Sequence, residues 1–322
     1  MSTTTSSAAG AAGGVGRTAL RLITDRPTYL IFGLVTIFFI VFAPNFATLG
    51  TAEAILRVTA LVTIMAVGMT FVIVCAEIDL SVGSVASWSG MVAALLLDRG
   101  VPTLLVPVLV LAMGALIGAV NGLLVTRVKI PSFLVTLGML SVFSGLALTV
   151  TGTEPVPIVE DSFSNLFWNA NWLGVPAPIW WTIVVVAAGF YALQLTVLGR
   201  RTYAVGGNIA AARFSGVKTG QIKTLAFVFS SMAAALAGMM LAARSTAGNP
   251  SLGSGLELDV IAAVIIGGTS LFGGTGGIVG SVLGAIFIGI LGFGLLVLGL
   301  STSIQEVIKG AIIILAVALN KR

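Results

Sequence analysis

Ten apolar stretches follow one another along this chain, at about 29–43, 54–75, 84–98, 102–125, 131–151, 179–198, 221–242, 259–278, 280–299 and 303–319. A helix of ~20 apolar residues matches the hydrocarbon thickness of a bilayer. Inside lipid every backbone N–H and C=O must find a partner within the protein, which leaves helices or closed barrels. The pattern therefore predicts an all-α polytopic membrane protein of about ten helices, some broken or re-entrant. Charged residues make up only 8% of the chain, where a water-facing surface needs about 25%. The stretch 84–98 is short for a full crossing, and 29–43 has the borderline length of a signal-peptide core.

The few charges set the orientation. Arg127 and Lys129 stand between two stretches, and Arg200, Arg201, Arg213, Lys218 and Lys223 crowd 199–223 with no acid among them. Lys321 and Arg322 end the chain. Basic connections stay in the cytoplasm. By contrast, 152–178 carries Glu154, Glu160 and Asp161 and no base, with four prolines, and reads as an external loop. Trp168, Trp172, Trp180 and Trp181 suit an interfacial belt beside it. Ten crossings with both termini cytoplasmic satisfy all these markers, and a retained first helix fits that parity. Residues 1–26, rich in Ser, Thr, Ala and Gly with Arg17, Arg21 and Arg26, read as a disordered basic cytoplasmic tail before a transmembrane domain at 27–322. The net charge of +5 follows from these loops and implies no nucleic acid.

One segment breaks the apolar rule. EIDLSVGS, residues 77–84, puts Glu77, Asp79, Ser81 and Ser84 between LVTIMAVGMTFVIVCA and VASWSGMVAALLL. A charge at the bilayer centre costs roughly 2.5–3.5 kcal/mol on insertion scales, so such residues default to functional candidates. Asp79 suits two compatible roles, capping the helix that starts near Ser81 and lining a polar pathway. Asn121 suits the same pathway, or an interhelical bond. Glu257-Leu258-Asp259-Val260 repeats the pattern of Glu77-Ile78-Asp79-Leu80. The topology puts the two on opposite membrane sides, as in an inverted repeat, with Glu257 and Asp259 as an outer-side gate. Glycines at every fourth position, 114–118–122 and 276–280–284, favour close helix contact within the chain or at a dimer seam.

Catalysis finds no apparatus here. The chain has no His, which removes His-based acid–base chemistry, triads and His metal ligation together. The carboxylates are too dispersed for a metal cluster. SGVKTG at 215–220 lacks the Gly that a Walker A lysine requires directly before it, and GGTGGIVG at 273–280 is misspaced for a dinucleotide loop and reads as a helix break. Cys75, the single cysteine, excludes an internal disulfide and reads as a small buried hydrophobe. No metal or cofactor is expected.

The loop 199–220 supplies a second signal. Asn208 caps a short helix over 209–215, Gly216 ends it, and Gly206-Gly207 lead into it. Two turns are not stable alone. Such a helix lies on the membrane surface or docks into another protein, and the basic setting favours docking.

EIDLSVGS (77–84), NGLLVTRVKIPSFLVTLGML (121–140), AVGGNIAAARFSGV (204–217) and VIIGGTSLFGGTGGIVGSVLGA (264–285) occur in this order. In this ordered set the chain resembles the permease subunits of bacterial ABC importers of the ribose/xylose type, including their autoinducer-2 relatives. The resemblance implies a dimeric permease of the inner membrane. It would translocate a monosaccharide or related polyol delivered by a periplasmic binding protein and be driven by a cytoplasmic ATPase. The segment around Gly207, Asn208, Arg213 and Gly216 matches the one expected to contact that ATPase. Two departures stand out: the family often has Gly where Glu77 stands, and an acid where Ile209 follows Asn208. The alternative from another class is a proton-coupled secondary carrier using Glu77 and Asp79.

Overall fold

The computed structural model describes residues 27–319. The tail at 1–26, and Lys321 and Arg322, lie outside the described residues. Among the described residues thirteen helices run in chain order: α1 Pro27–Phe42, α2 Leu49–Val74, α3 Val82–Asp98, α4 Val106–Leu123 with a π-helical turn at Leu124–Val128, and α5 Ser132–Thr151. Then come α6 Asp161–Ser164, α7 Ala177–Phe190 with a π-helical turn at Tyr191–Leu195, α8 Val197–Gly207 and α9 Ile209–Phe214. Finally come α10 Thr219–Ser245, α11 Leu256–Ile266, α12 Ile278–Val297 and α13 Thr302–Leu319. Four two-residue strands, β1 Val156–Pro157, β2 Asn171–Trp172, β3 Val175–Pro176 and β4 Ala247–Gly248, pair as β1–β4 and β2–β3. The chain is an all-α membrane protein, and among the described residues six helices are long and apolar enough to cross a bilayer: α2, α4, α5, α7, α10 and α12.

The chain forms two compact units, Thr48–Ile290 and a smaller one made of the two chain ends. In the smaller unit an aromatic run on α1 packs on itself: Phe39 meets Phe38 edge-on at 5.4 Å and Phe46 at 5.4 Å. Gly294 faces the Phe39 ring closely enough that a Cβ there would collide with it.

In the larger unit α2 and α10 are buried along most of their length, while α5 and α7 present Leu134, Val142, Ile183 and Val184 outward. An outward belt of large apolar side chains is what lipid contact requires. The centre is built by small residues. Gly114, Gly118 and Gly122 of α4 lie against the backbone and side chains of α10 at Thr224, Phe227, Val228, Ser231 and Ala235. Gly90 of α3 lies against Gly238. The first glycine stripe is thus an intramolecular seam, and in the second Gly280 and Gly284 pack on Gly267 and Ala263 of the α11 segment. Close backbone approach gives the dispersion contacts that hold helices together where lipid supplies no hydrophobic drive.

Contacts sort the connections into two ends. At the Trp-rich end β1 pairs with β4, Thr103 bonds Ser162 at 2.9 Å, Arg57 donates to Asn171 at 3.2 Å, and Arg244 sits 5.3 Å from the Trp168 ring. At the basic end Gly274 N donates to Val74 O at 2.9 Å, Thr126 meets Thr224 at 3.3 Å, and Lys223 pairs with Glu77. Between these ends Thr70 of α2 bonds Ser281 of α12 at 2.7 Å, with both residues buried. Interhelical bonds in membranes are worth about 0.6 kcal/mol on average and up to roughly 2 kcal/mol. Thr70→Val is therefore expected to lower the thermal denaturation midpoint in detergent slightly and to leave the amount of protein in the membrane unchanged.

Two sequence expectations are corrected. The stretch 259–278 is not one helix: α11 stops at Ile266, and 267–277 is irregular, with positive φ at Gly268, Gly273, Gly274 and Gly276. Glycine is the residue that enters that region without Cβ strain, and this run of them unwinds the pass. Before α11, the chain at 247–255 descends beside α3 without helix: Gly248 lies against Met91 and Ala94, and Gly253 against Gly83 and Ser87. Residues 199–207, expected as loop, form most of α8.

Candidate functional site

The break at 75–81 begins with the end of α2. Ala76 adopts a left-handed conformation, φ 59°. Its N–H bonds Ile73 O at 2.9 Å, and Glu77 N–H bonds Val72 O at 3.1 Å. This is a Schellman closure, made by an alanine where glycine is usual. Leaving the helix here lets the polar residues that follow turn toward other elements.

Asp79 Oδ1 accepts from Ser81 N at 3.0 Å and from Ser81 Oγ at 2.6 Å, and Asn121 Nδ2 of α4 donates to the same Ser81 Oγ at 3.1 Å. Ser230 of α10 lies beside the Asp79 carboxyl. Asp79, Ser81, Asn121 and Ser230 are wholly buried. The structure thus joins three of the predicted pathway residues in one knot that ties the start of α3 to α4, with Ser230 of α10 beside it. Asp79 does not cap the second or third N–H of α3, as an ordinary N-cap would. It closes a tighter turn on Ser81, one residue ahead of the helix. Ser84 sits in the first turn of α3, with its hydroxyl donating to Ser81 O at 2.9 Å.

Glu77 points elsewhere. Its carboxylate is ion-paired with Lys223 in the first turns of α10. Between these carboxylates, Ile78 is clamped by α5: its N–H donates to Ser132 Oγ and its carbonyl accepts from Thr136 Oγ1, both at 3.3 Å. Lys223, Ser230, Ser132 and Thr136 were missed at the sequence level. The Ser230-Ser231 pair inside an apolar run was the available signal, while the lone Lys223 was absorbed into the basic loop.

Glu257, expected as part of an outer-side gate, lies beside the first turn of α3. A Cβ at Gly83 would strike its carboxylate, and would come within 2.6 Å of Gly253 O. Gly83 lies roughly 22 Å along α3 from Asp98 at 1.5 Å per residue. Glu257 is therefore level with the first turn of α3 and close to the EIDL break. The two motifs also differ locally, since Glu77–Leu80 is irregular whereas Glu257, Asp259 and Val260 are helical. Ahead of Glu257 the chain at 247–255 runs along α3 through a series of turns before α11 starts.

At the basic end the short helix has the shape the sequence predicted. Asn208 Oδ1 accepts from Ala211 N at 3.0 Å, Gly216 takes φ 80°, and Val217 N bonds Ala212 O at 3.0 Å. Arg213 Nε donates to Thr219 Oγ1 at 3.2 Å and so fastens α9 to the start of α10. Ala212 is buried, whereas Phe214 is 94% exposed. Gly206 and Gly207 end α8 and face Val74 and Gly274. Tyr203 of α8 donates to Gly276 O at 2.8 Å and accepts from Gln194 at 3.2 Å. Partial burial raises its phenol above the usual range, so it stays a donor. Beside α9 a cavity of about 660 Å³ is lined by Arg127, Lys218, Thr126, Thr219 and Gln221. Among the described residues, no three His, Cys, Asp or Glu side chains gather as a metal site would need.

A family model described as "Branched-chain amino acid transport system / permease component" matches residues 51–317. The ribose import permease protein RbsC of Escherichia coli K12 is 41% identical over 286 residues, covering 87% of this chain and 88% of its own. The L-arabinose ABC transporter permease protein AraH of Azospirillum brasilense is 37% identical over 296 residues, 90% of this chain and 87% of its own. The xylose transport system permease protein XylH of E. coli K12 is 35% identical, covering 82% of each. No solved structure matches. The break at 75–81, the capped α9 and the glycine-unwound 267–277 all fall inside the matched region, and the chain belongs to this family of membrane transport permeases.

Proposed function

We propose that this chain is the membrane subunit of an ATP-driven importer of a monosaccharide or related polyol, in the bacterial inner membrane. It crosses ten times with both termini cytoplasmic, the basic end inward and the Trp-rich end facing the periplasm. A second permease subunit completes the pathway. A separate ATPase binds and hydrolyses ATP, and a periplasmic binding protein delivers the sugar. Asp79, Ser81 and Asn121 are wholly buried in one chain. A solute therefore meets them only when helices part, as alternating access requires. Each partner must bind one state of the permease better than the other in order to shift it.

The observation that carries this reading is α9. Five of its six residues, IAAARF, are apolar, and it projects at the basic end with Phe214 bare. A helix this short and this apolar needs cover, and a capped, fastened one is built for docking rather than for sinking into lipid. The alternative of a proton-driven carrier gains no support, since Glu77 is ion-paired and Asp79 is held by Ser81.

Two experiments test it. Purification of the tagged permease in mild detergent is expected to bring down an ATPase, and recovery of the permease alone, with nucleotide and crosslinker present, counts against the reading. Arg213→Glu reverses the charge on α9 and breaks its bond to Thr219. It should abolish uptake at an unchanged membrane level, and full uptake by this variant would sink the docking role of α9.

A further inference from the structure

Glu77 and Lys223 are far apart in the chain, yet they meet with side chains only 12% and 17% exposed. A largely desolvated ion pair is seldom a source of stability, and breaking one partner leaves an uncompensated charge. Its position is the informative part. The rest of the break is held by neutral bonds to three other elements: Val74 to the 267–277 loop, Ile78 to α5, and Ser81 to α4. Glu77 makes the charged link, and it goes to α10.

The start of α10 is continuous with the docking helix. Arg213 is bonded to Thr219, and Lys223 follows Thr219 by four residues, on the same helix face. Ser230 comes two turns later on that face, beside Asp79. Thr219, Lys223 and Ser230 therefore form a stripe running from α9 to the break. The stripe lies on one unbroken 27-residue helix. Any displacement of α9 reaches the break through this stripe, and the ion pair is the contact nearest the basic end.

We propose that Glu77–Lys223 is a releasable tie. Closed, it holds the break shut from the basic end over Cys75 and Asp79. Parted by movement of α9 and α10, it opens that end. Glu77 and Lys223 are thus positioning residues for transport, acting on access to the pathway and not on the sugar. The proposal rests on the importer reading only for the cause of the movement.

Cys75 provides the test without any engineered label. It is the single cysteine, buried, two residues from Glu77. A buried thiol reacts in proportion to the population of the opened state, so Glu77→Gln and Lys223→Gln should raise maleimide labelling of Cys75 roughly fivefold or more. The exchanged pair Glu77→Lys/Lys223→Glu should bring the rate back toward the wild type. In reconstituted transporter the single variants should change the maximal uptake rate and leave the half-saturating sugar concentration unaltered, a split that general loosening would not give. Wild-type labelling rates in both single variants would overturn the proposal, and so would an exchanged pair that labels as fast as either single variant. Labelling needs no ATPase, so this result stands or falls separately from the copurification experiment.

Discussion

Gly206→Ala is expected to abolish uptake and remove most of the protein from the membrane, while Gly207→Ala is expected to be nearly silent. Neighbours of the same type at the end of α8 diverge because of what a methyl group would meet. At Gly206 it would collide with Val74 O, and would come within 2.6 Å of Gly274 N and 2.8 Å of Val74 C. Those atoms are themselves joined by the Gly274–Val74 hydrogen bond, which fastens the 267–277 loop to the end of α2. They are backbone, so no rotamer change clears the way, and the helix must move or the loop must detach. Overpacking with room to adjust costs about 1–3 kcal/mol, and this site has little room. At Gly207 the nearest atom is Gly274 Cα at 4.0 Å, an ordinary contact. There alanine gains up to about 1 kcal/mol of helix propensity. Membrane content by immunoblot and sugar uptake in the same cells separate the two variants. Equal behaviour of both would mean that α8 does not seat against α2 as described.

The pattern of success in the sequence follows from the range of the forces. The break at 77–84 was legible because charge inside an apolar run is a local contradiction, and so was the capped α9, whose signals at Asn208 and Gly216 lie within one short segment. The glycines at 273–280 announced a helix break for the same reason, but not that it begins already after Ile266. Helix α8 was not legible: GRRTYAVGG carries bases and glycines that favour a loop. The Tyr203–Gly276 bond and the seat of Gly206 on Val74, both distant in sequence, override that preference. The place of Glu257 beside Gly83 was hidden too. Counting apolar residues assumes that every pass is helical from end to end, and 247–255 descends without helix. The partner of Glu77 needed the fold, because no local rule pairs it with Lys223.

Asp79→Ala is expected to lower stability in detergent more than any other substitution in the break, and Asp79→Asn far less. The carboxylate oxygen Oδ1 serves two donors of Ser81, its N–H and its hydroxyl, and all the atoms involved are buried. Alanine removes the acceptor and leaves both donors without it, at about 1–3 kcal/mol for each buried group left unpaired. Asparagine keeps an oxygen in the same place, and its amide is a donor where the carboxylate had none, facing Ser230. Thermal midpoints and uptake of the two variants therefore separate geometry from charge. If both collapse alike, the negative charge itself is required, which favours a role toward the solute over a role in the turn. If neither falls, the knot is not what holds the break. The second measurement uses Asn121, which donates to the same Ser81 hydroxyl. Residues that share a partner lose the same interaction once. Asp79→Ala combined with Asn121→Ala should thus cost less than the sum of the two. A strictly additive result would mean that α4 and the break are fixed independently, without the shared Ser81 hydroxyl as their joint.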